Sequence, residues 1–171
     1  MKLATFSVNN GADELGVVEG ERVISLSRAA PMFPATMMGL IARWAELERD
    51  ARSIVKEQQF AHDLRAVHLK APIPRPGKVM AIGLNYADHV KETGAETPKD
   101  QVWFCKQVTA VNGPFDPIQI PKASTMVDWE AEMVVVIGKG GRHIAKDRAR
   151  EHVFGYCCGN DVSVRDWQKR T

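Results

Sequence analysis

The sequence predicts an α+β protein that begins with a small lobe of strands and helix. The segments KLATFSV, LGVVEG and RVISLS have the composition of short strands, and turns are expected at residues 9–11 and 19–21. From about Met37 to Phe60 the apolar residues take up helical spacing. Strands followed by a helix in so short a stretch indicate a compact α+β unit.

A proline-rich segment, LKAPIPRPGK, separates this lobe from the rest of the chain. Proline disfavours both helix and central strand, so we place a boundary there, between residues 1–70 and a main domain of residues 71–171. In the main domain Asn85 is a candidate N-cap and Ser163 a second one. Strands are expected in KVMAIG, VWFCK, PIQIP, EAEMVVVIG and FGYCCG, and helices in ADHVKET, AKDRAREHV and RDWQ.

The composition is that of an ordinary globular protein and limits the classes of partner. Apolar residues make up 44% and charged residues 26% of the chain, enough for a substantial core. A net charge of +2 without a basic stripe argues against nucleic acid. The chain has no bilayer-length apolar run and no apolar signal core, so we expect a cytoplasmic protein without membrane contact. The three cysteines do not suggest a disulfide framework or a zinc site, and we expect the adjacent Cys157 and Cys158 to be buried thiols.

Two glutamates in VDWEAEMVVVIG are the first candidates for chemistry. Strand side chains alternate between faces, so Glu130 and Glu132 project from one face, about 7 Å apart. An exposed face would explain the pair, but the apolar VVVI that follows indicates a strand covered on both sides. Two like charges there need a shared proton, arginines or a bound cation. Asp161, in GNDVS, is a candidate third oxygen ligand for Mg²⁺.

Two further pairs have the i, i+3 spacing of a helix face. Glu92 is placed to orient His89 for proton transfer, and a plain surface pair is the alternative. Arg165 with Gln168 is placed to hold a substrate carboxylate, and a solvated helix start is the alternative.

Three motifs, PRPGKVMAIGLNYADHVKE, DWEAEMVVVIG and GYCCGNDVSVRDWQ, resemble the fumarylacetoacetate hydrolase family in their order and separation. The N-terminal segment resembles the small leading lobe of the family's bacterial members. The resemblance implies a mixed β-roll or distorted barrel, usually assembled as a homodimer. Because members continue beyond the last motif with a GKS-type lysine and more strands, we expect the C-terminal part of the roll to be missing from this chain.

The resemblance also implies roles for the candidate residues. Glu130, Glu132 and Asp161 match the carboxylates that bind Mg²⁺, for which Mn²⁺ or Ca²⁺ can substitute. His89 and Glu92 match a dyad that activates water or moves protons.

The expected activity follows from the same resemblance, with Arg165 and Gln168 at the substrate's oxygens. It is hydrolysis of a carbon–carbon bond in a β-diketo acid of the acylpyruvate, fumarylpyruvate or fumarylacetoacetate type, as in aromatic catabolism, through a metal-stabilised enolate. The same site serves isomerases and decarboxylases of oxaloacetate-like or hydroxydienedioate acids. A non-catalytic metal-binding module is the alternative from another class.

Overall fold

The computed structural model describes residues 1–94, 96–168 and 170, without the side chains of His89 and Thr93. Its strands are Lys2–Ser7 (β1), Asp13–Glu19 (β2), Arg22–Ser25 (β3), Ala61–Asp63 (β4), His68–Leu69 (β5), Val79–Gly83 (β6), Val102–Lys106 (β7), Val127–Asp128 (β8), Ala131–Ile137 (β9), Val153–Asn160 (β10) and Ser163–Val164 (β11). Its α-helices are Leu26–Ala29 (α1), Met37–Ala42 (α2), Trp44–Glu57 (α3), Ala87–Thr93 (α4) and Arg165–Gln168 (α5). The mixture of strands and helices confirms the predicted α+β class.

The N-terminal lobe contains an antiparallel sheet of five strands in the order β4-β3-β2-β1-β5. Both predicted turns are present: Asn9 and Asn10 have φ of 50° and 57°, and Gly20 has φ of 57°. Asparagine and glycine are the residues that adopt positive φ at least cost, which explains why the chain reverses there. Strand β5 returns to β1 with Leu69 opposite Phe6, so the sheet is completed at the proline-rich boundary.

The helices of the lobe cover one face of this sheet and enclose its core. The buried cluster comprises Leu15, Val17, Leu26, Phe33, Met37, Leu40, Leu47 and Ala51. The helix predicted from Met37 to Phe60 is two helices, because Arg43 leaves helical geometry at φ −113°, ψ 12°. It also ends earlier than predicted, at Glu57, where Gln58 takes the left-handed conformation.

Among its described residues, the main domain contains three two-stranded antiparallel sheets, β6 with β7, β8 with β11, and β9 with β10. Several predictions for this part were wrong in detail. PIQIP forms no strand, because proline at each end offers no amide to a ladder. Tyr86, not Asn85, is the N-cap residue of α4, and Ser163 belongs to β11. The segment Lys146–His152 is 3-10 rather than α-helical.

Burial in the main domain is lower than the sequence predicted. Strand β9 was expected to be covered on both sides, yet Met133 is 65% and Ile137 62% exposed. In β6 no residue is fully buried, and Met80 is exposed. The apolar pattern is correct as a description of the strands, but among the described residues no layer packs over these faces.

The cysteines Cys105, Cys157 and Cys158 are free. Cys158 is exposed and Cys157 only half-buried, although both were expected to be buried, and Cys105 is exposed as well. Burial raises the pKa of the Cys157 thiol, and neighbouring Cys158 raises it further. In the described part of the chain, none of the helices combines the length and the apolar character that crossing a bilayer requires.

Candidate metal and catalytic site

The three candidate carboxylates are brought to one end of the β9–β10 hairpin. Glu130 directly precedes β9, Glu132 is its second residue, and Asp161 directly follows β10. The antiparallel register pairs Ala131 with Asn160, so the start of one strand meets the end of the other. The Asp161 amide donates to the Glu130 carbonyl at 2.9 Å, and the Glu130 amide donates to Asn160 Oδ1 at 3.1 Å. These bonds hold the two backbones together beneath the carboxylates.

The carboxylate of Glu130 is neutralised by Arg165, the first residue of α5. The Arg165 Nη2 donates to Glu130 Oε1 at 2.5 Å, and Nε donates to Asp128 Oδ2 at 2.8 Å. The hydrogen bond to Glu130, followed by that to Asp128, raises the pKa of the guanidinium, while partial burial opposes the shift. Arg165 Nη1 donates to Gln168 Oε1 at 3.0 Å. The two residues expected at substrate oxygens are therefore bonded to each other, and Arg165 is also bonded to two carboxylates.

The carboxylate of Glu132 is linked to the helix that carries the predicted dyad. The Tyr86 hydroxyl donates to Glu132 Oε2 at 3.2 Å. Tyr86 is the N-cap residue of α4, which contains both His89 and Glu92. Glu92 is exposed, and the side chain of His89 lies outside the described residues. The structure thus fixes the start of α4 beside the carboxylates and leaves the geometry of the dyad a prediction.

The carboxylate of Asp161 faces a lysine that sequence reasoning did not single out. Lys106, the last residue of β7, places Nζ against Asp161 Oδ1 and donates to the Val162 carbonyl at 3.0 Å. The contact joins residues that lie 55 positions apart, so no local pattern indicates it. Asp128 was missed as well, although its spacing of two from Glu130 is the strand period that identified the glutamates.

The donor set fits a hard divalent cation in its chemistry. Carboxylate oxygens are the ligands that Mg²⁺ and its substitutes prefer. Asp161 Oδ1 is a buried oxygen without a partner in hydrogen-bond geometry, although the Lys106 ammonium lies beside it. In the described part of the chain, no three His, Cys, Asp or Glu side chains are arranged as a ready metal site. A bound ion would share Glu130 with Arg165 and Asp161 with Lys106.

Comparison with known proteins places this arrangement in a family. Residues 78–171 match the family described as fumarylacetoacetate (FAA) hydrolase C-terminal. A mitochondrial oxaloacetate tautomerase of Homo sapiens is 39% identical over 151 residues, covering 88% of this chain and 48% of the relative. A mitochondrial oxaloacetate tautomerase of Xenopus laevis is 38% identical over 156 residues, covering 91% and 49%.

Solved structures give the same result. Maleylpyruvate hydrolase from Sphingobium sp. SYK-6, in complex with manganese(II) ion and pyruvate, has a TM-score of 0.81 at 30% identity, covering 96% of this chain and 60% of that chain. Fumarylacetoacetate hydrolase from Exiguobacterium antarcticum has a TM-score of 0.78 at 34% identity, covering 99% and 58%. This chain spans about half the length of the curated relatives that it matches. It belongs to the fumarylacetoacetate hydrolase family.

Proposed function

We propose that this chain carries the metal-holding part of an enzyme that interconverts the keto and enol forms of a small 2-oxo acid of the oxaloacetate type. The observation that carries the proposal is the gathering of three carboxylates at one end of the β9–β10 hairpin. The choice of keto–enol interconversion as the reaction is supported by the relatives named as oxaloacetate tautomerases, at 38–39% identity.

Glu130, Glu132 and Asp161 would hold the divalent ion, Mg²⁺ or Mn²⁺, through carboxylate oxygens. A divalent ion supplies Lewis-acid stabilisation of negative charge on the oxygens of a bound 2-oxo acid. A manganese(II) ion together with pyruvate in the maleylpyruvate hydrolase structure supports this pairing of ion and acid.

The chain's own residues would bind the acid and move its proton. Tautomerisation removes a proton from the carbon beside the carbonyl and delivers one to the carbonyl oxygen. We assign the proton movement to His89 with Glu92, on the helix that Tyr86 fixes beside Glu132. Arg165, whose guanidinium already lies at the carboxylates, is assigned to the carboxylate of the acid.

Hydrolysis of an acylpyruvate, the activity first expected from the sequence, is the second candidate. The structural similarity to maleylpyruvate hydrolase favours it. In this reaction His89 would take a proton from water, and the water oxygen would attack the distal carbonyl before the carbon–carbon bond breaks. The two candidates use the same residues and differ in whether water enters, so products separate them.

The test is a substrate panel on the whole polypeptide that the gene encodes, with the 171-residue chain alongside. Ultraviolet absorbance would follow oxaloacetate enol and acylpyruvates, in Mn²⁺ and then in excess chelator. Metal-dependent approach of oxaloacetate to its keto–enol equilibrium, without carbon dioxide release, supports the tautomerase. Two acids formed from an acylpyruvate support the hydrolase, and carbon dioxide from oxaloacetate supports a decarboxylase.

Variants separate the site from the fold. Glu132→Gln should lose metal-dependent turnover, because one of the three ligands becomes neutral. Glu151→Gln is the matched control, since that exposed glutamate pairs with Arg148 in the 3-10 segment, away from the hairpin's carboxylate end. Equal turnover in wild type and Glu132→Gln would contradict the assignment of Glu132 as a metal ligand. Silence from every substrate would make the non-catalytic module the better description. Homodimer assembly and a cytoplasmic location stay predictions.

A further inference from the structure

Lys106 connects a strand of the main domain to the proposed metal site. It ends β7, and its ammonium lies against Asp161 Oδ1 in the loop between β10 and β11. The lysine side chain is 29% exposed and the aspartate side chain 14% exposed, so solvent screens this pair only in part. A partly buried carboxylate in such a place needs a counter-ion, and Lys106 supplies it.

The contact has the character of a charge pair rather than of a fitted hydrogen bond. Asp161 Oδ1 has no partner in hydrogen-bond geometry, whereas the same ammonium donates to the Val162 carbonyl at 3.0 Å. A lysine ammonium is a compact point charge on a flexible stem, so it can leave one oxygen and keep its other contact. We infer that another cation can take the place of the Lys106 ammonium at Asp161.

A divalent cation at the three carboxylates would share the Asp161 carboxylate with the Lys106 ammonium. The Lys106 ammonium and the ion would repel each other when both contact Asp161. Water screens this repulsion only in part, because the site is partly buried. We propose that Lys106 is a tethered counter-ion, which occupies Asp161 when the divalent cation is absent and competes with that cation for the carboxylate. The inference rests on the proposed function, because it takes Asp161 as a metal ligand.

The test is a titration of the purified chain with Mn²⁺, reading free Mn²⁺ by electron paramagnetic resonance. Lys106→Gln removes the charge and keeps an amide that can donate to the Val162 carbonyl. We expect it to bind Mn²⁺ about tenfold more tightly than wild type, which lies within the usual range of coupling between two ligands. Lys106→Arg keeps the charge and should bind like wild type. Lys139→Met is the control, since Lys139 follows β9 at the end about 20 Å from Glu130.

Thermal unfolding gives a second readout. Without Mn²⁺, Lys106→Gln should melt below wild type, because Asp161 loses its counter-ion. Saturating Mn²⁺ should raise its melting temperature by more than it raises that of wild type, since the ion then binds the folded state more tightly. If Lys106→Gln folds only with Mn²⁺, the proposal is supported. If it does not fold at all, Lys106→Met is titrated in its place.

The outcomes separate this inference from the proposed function. Equal or weaker Mn²⁺ binding by the neutral Lys106 variants, with clear binding by wild type, would overturn the inference and leave the metal site standing. Binding by the neutral variants alone would support the inference strongly. No binding by any of the proteins would remove both proposals.

Discussion

Arg165 and Glu130 form a close pair at 2.5 Å, although they lie 35 positions apart in the chain. The guanidinium also bonds Asp128 at 2.8 Å, so one arginine neutralises two acidic side chains that lie two positions apart, at the end of β8 and just before β9. Both members of the pair are about three-quarters buried, with 23% and 25% of their side chains exposed. The strand end that gathers carboxylates is therefore stable in this structure because a cation from α5 covers it.

Arg165→Met should destabilise the protein by about 1–3 kcal/mol, because Glu130 and Asp128 are left without their charge-assisted bonds. Arg165→Lys should recover only part of the loss, since an ammonium cannot reproduce the guanidinium's separate bonds to two carboxylates. Urea unfolding, followed by tryptophan emission, measures both. Arg148→Met is the control: its pair with Glu151 is more than half exposed on both sides and should contribute less than about 0.5 kcal/mol. Equal effects of Arg165→Met and Arg148→Met would contradict the buried role.

Gly159 lies directly across from Glu132 in the β9–β10 register. The close packing of the two strands at the carboxylate end therefore depends on a residue without a side chain. A Cβ atom at Gly159 would lie 2.7 Å from Val134 Cγ2. Because valine is stiff at χ1, the strands themselves have to separate. Gly159→Ala should lower the local stability of the hairpin by about 1–3 kcal/mol, seen as faster amide hydrogen exchange in β9 and β10.

Gly155 in the same strand provides a matched control. A Cβ atom there meets nothing within 4 Å, so Gly155→Ala should be neutral or slightly stabilising through the unfolded state. The hypothesis fails if both substitutions change hydrogen exchange alike.

The N-terminal lobe could be predicted from sequence because its signals are local. Asn9, Asn10 and Gly20 mark the two turns, and β2 between them buries Leu15, Gly16 and Val17. The break at Arg43 could not be predicted, since neither glycine nor proline marks it. At this break the Arg43 side chain donates to the carbonyl of Met32, a residue outside the helices, at 3.2 Å.

In the main domain the sequence predicted most of the strands but not the residues that contact them. The period of two singled out Glu130 and Glu132, which lie at the start of β9, and the hairpin register brings Asp161 to the same end. Lys106 and Tyr86 were not predicted as site residues. Their partners, Asp161 and Glu132, lie 55 and 46 positions away in the chain. The apolar run of β9 predicted that both faces of the strand are covered. This was wrong because an apolar sequence does not indicate which element packs against it.

We expect the contact between His68 and Asp116 to make the stability of the fold depend on pH. His68 Nε2 donates to Asp116 Oδ1 at 2.6 Å, and the Lys70 ammonium donates to His68 Nδ1 at 3.3 Å. The hydrogen bond from His68 is the largest cause that lowers the pKa of Asp116 below its usual 3.8, with the Gly113 amide acting in the same direction and burial opposing both. The charged carboxylate is thus the form that the folded protein favours.

The sign of the effect follows from linkage. A carboxyl group whose pKa is lower in the folded state stabilises that state above pH 3.8, and the contribution is lost as pH falls through the lowered value. Wild type should therefore be more stable than Asp116→Asn near pH 6, and the difference should shrink as the pH drops below 3.8. Urea unfolding of both proteins between pH 6 and pH 2.5 measures this, with Asp147→Asn as a control for an exposed aspartate in the 3-10 segment. A difference that stays constant across this range would mean that Asp116 acts through the shape of the 113–116 turn and not through its charge.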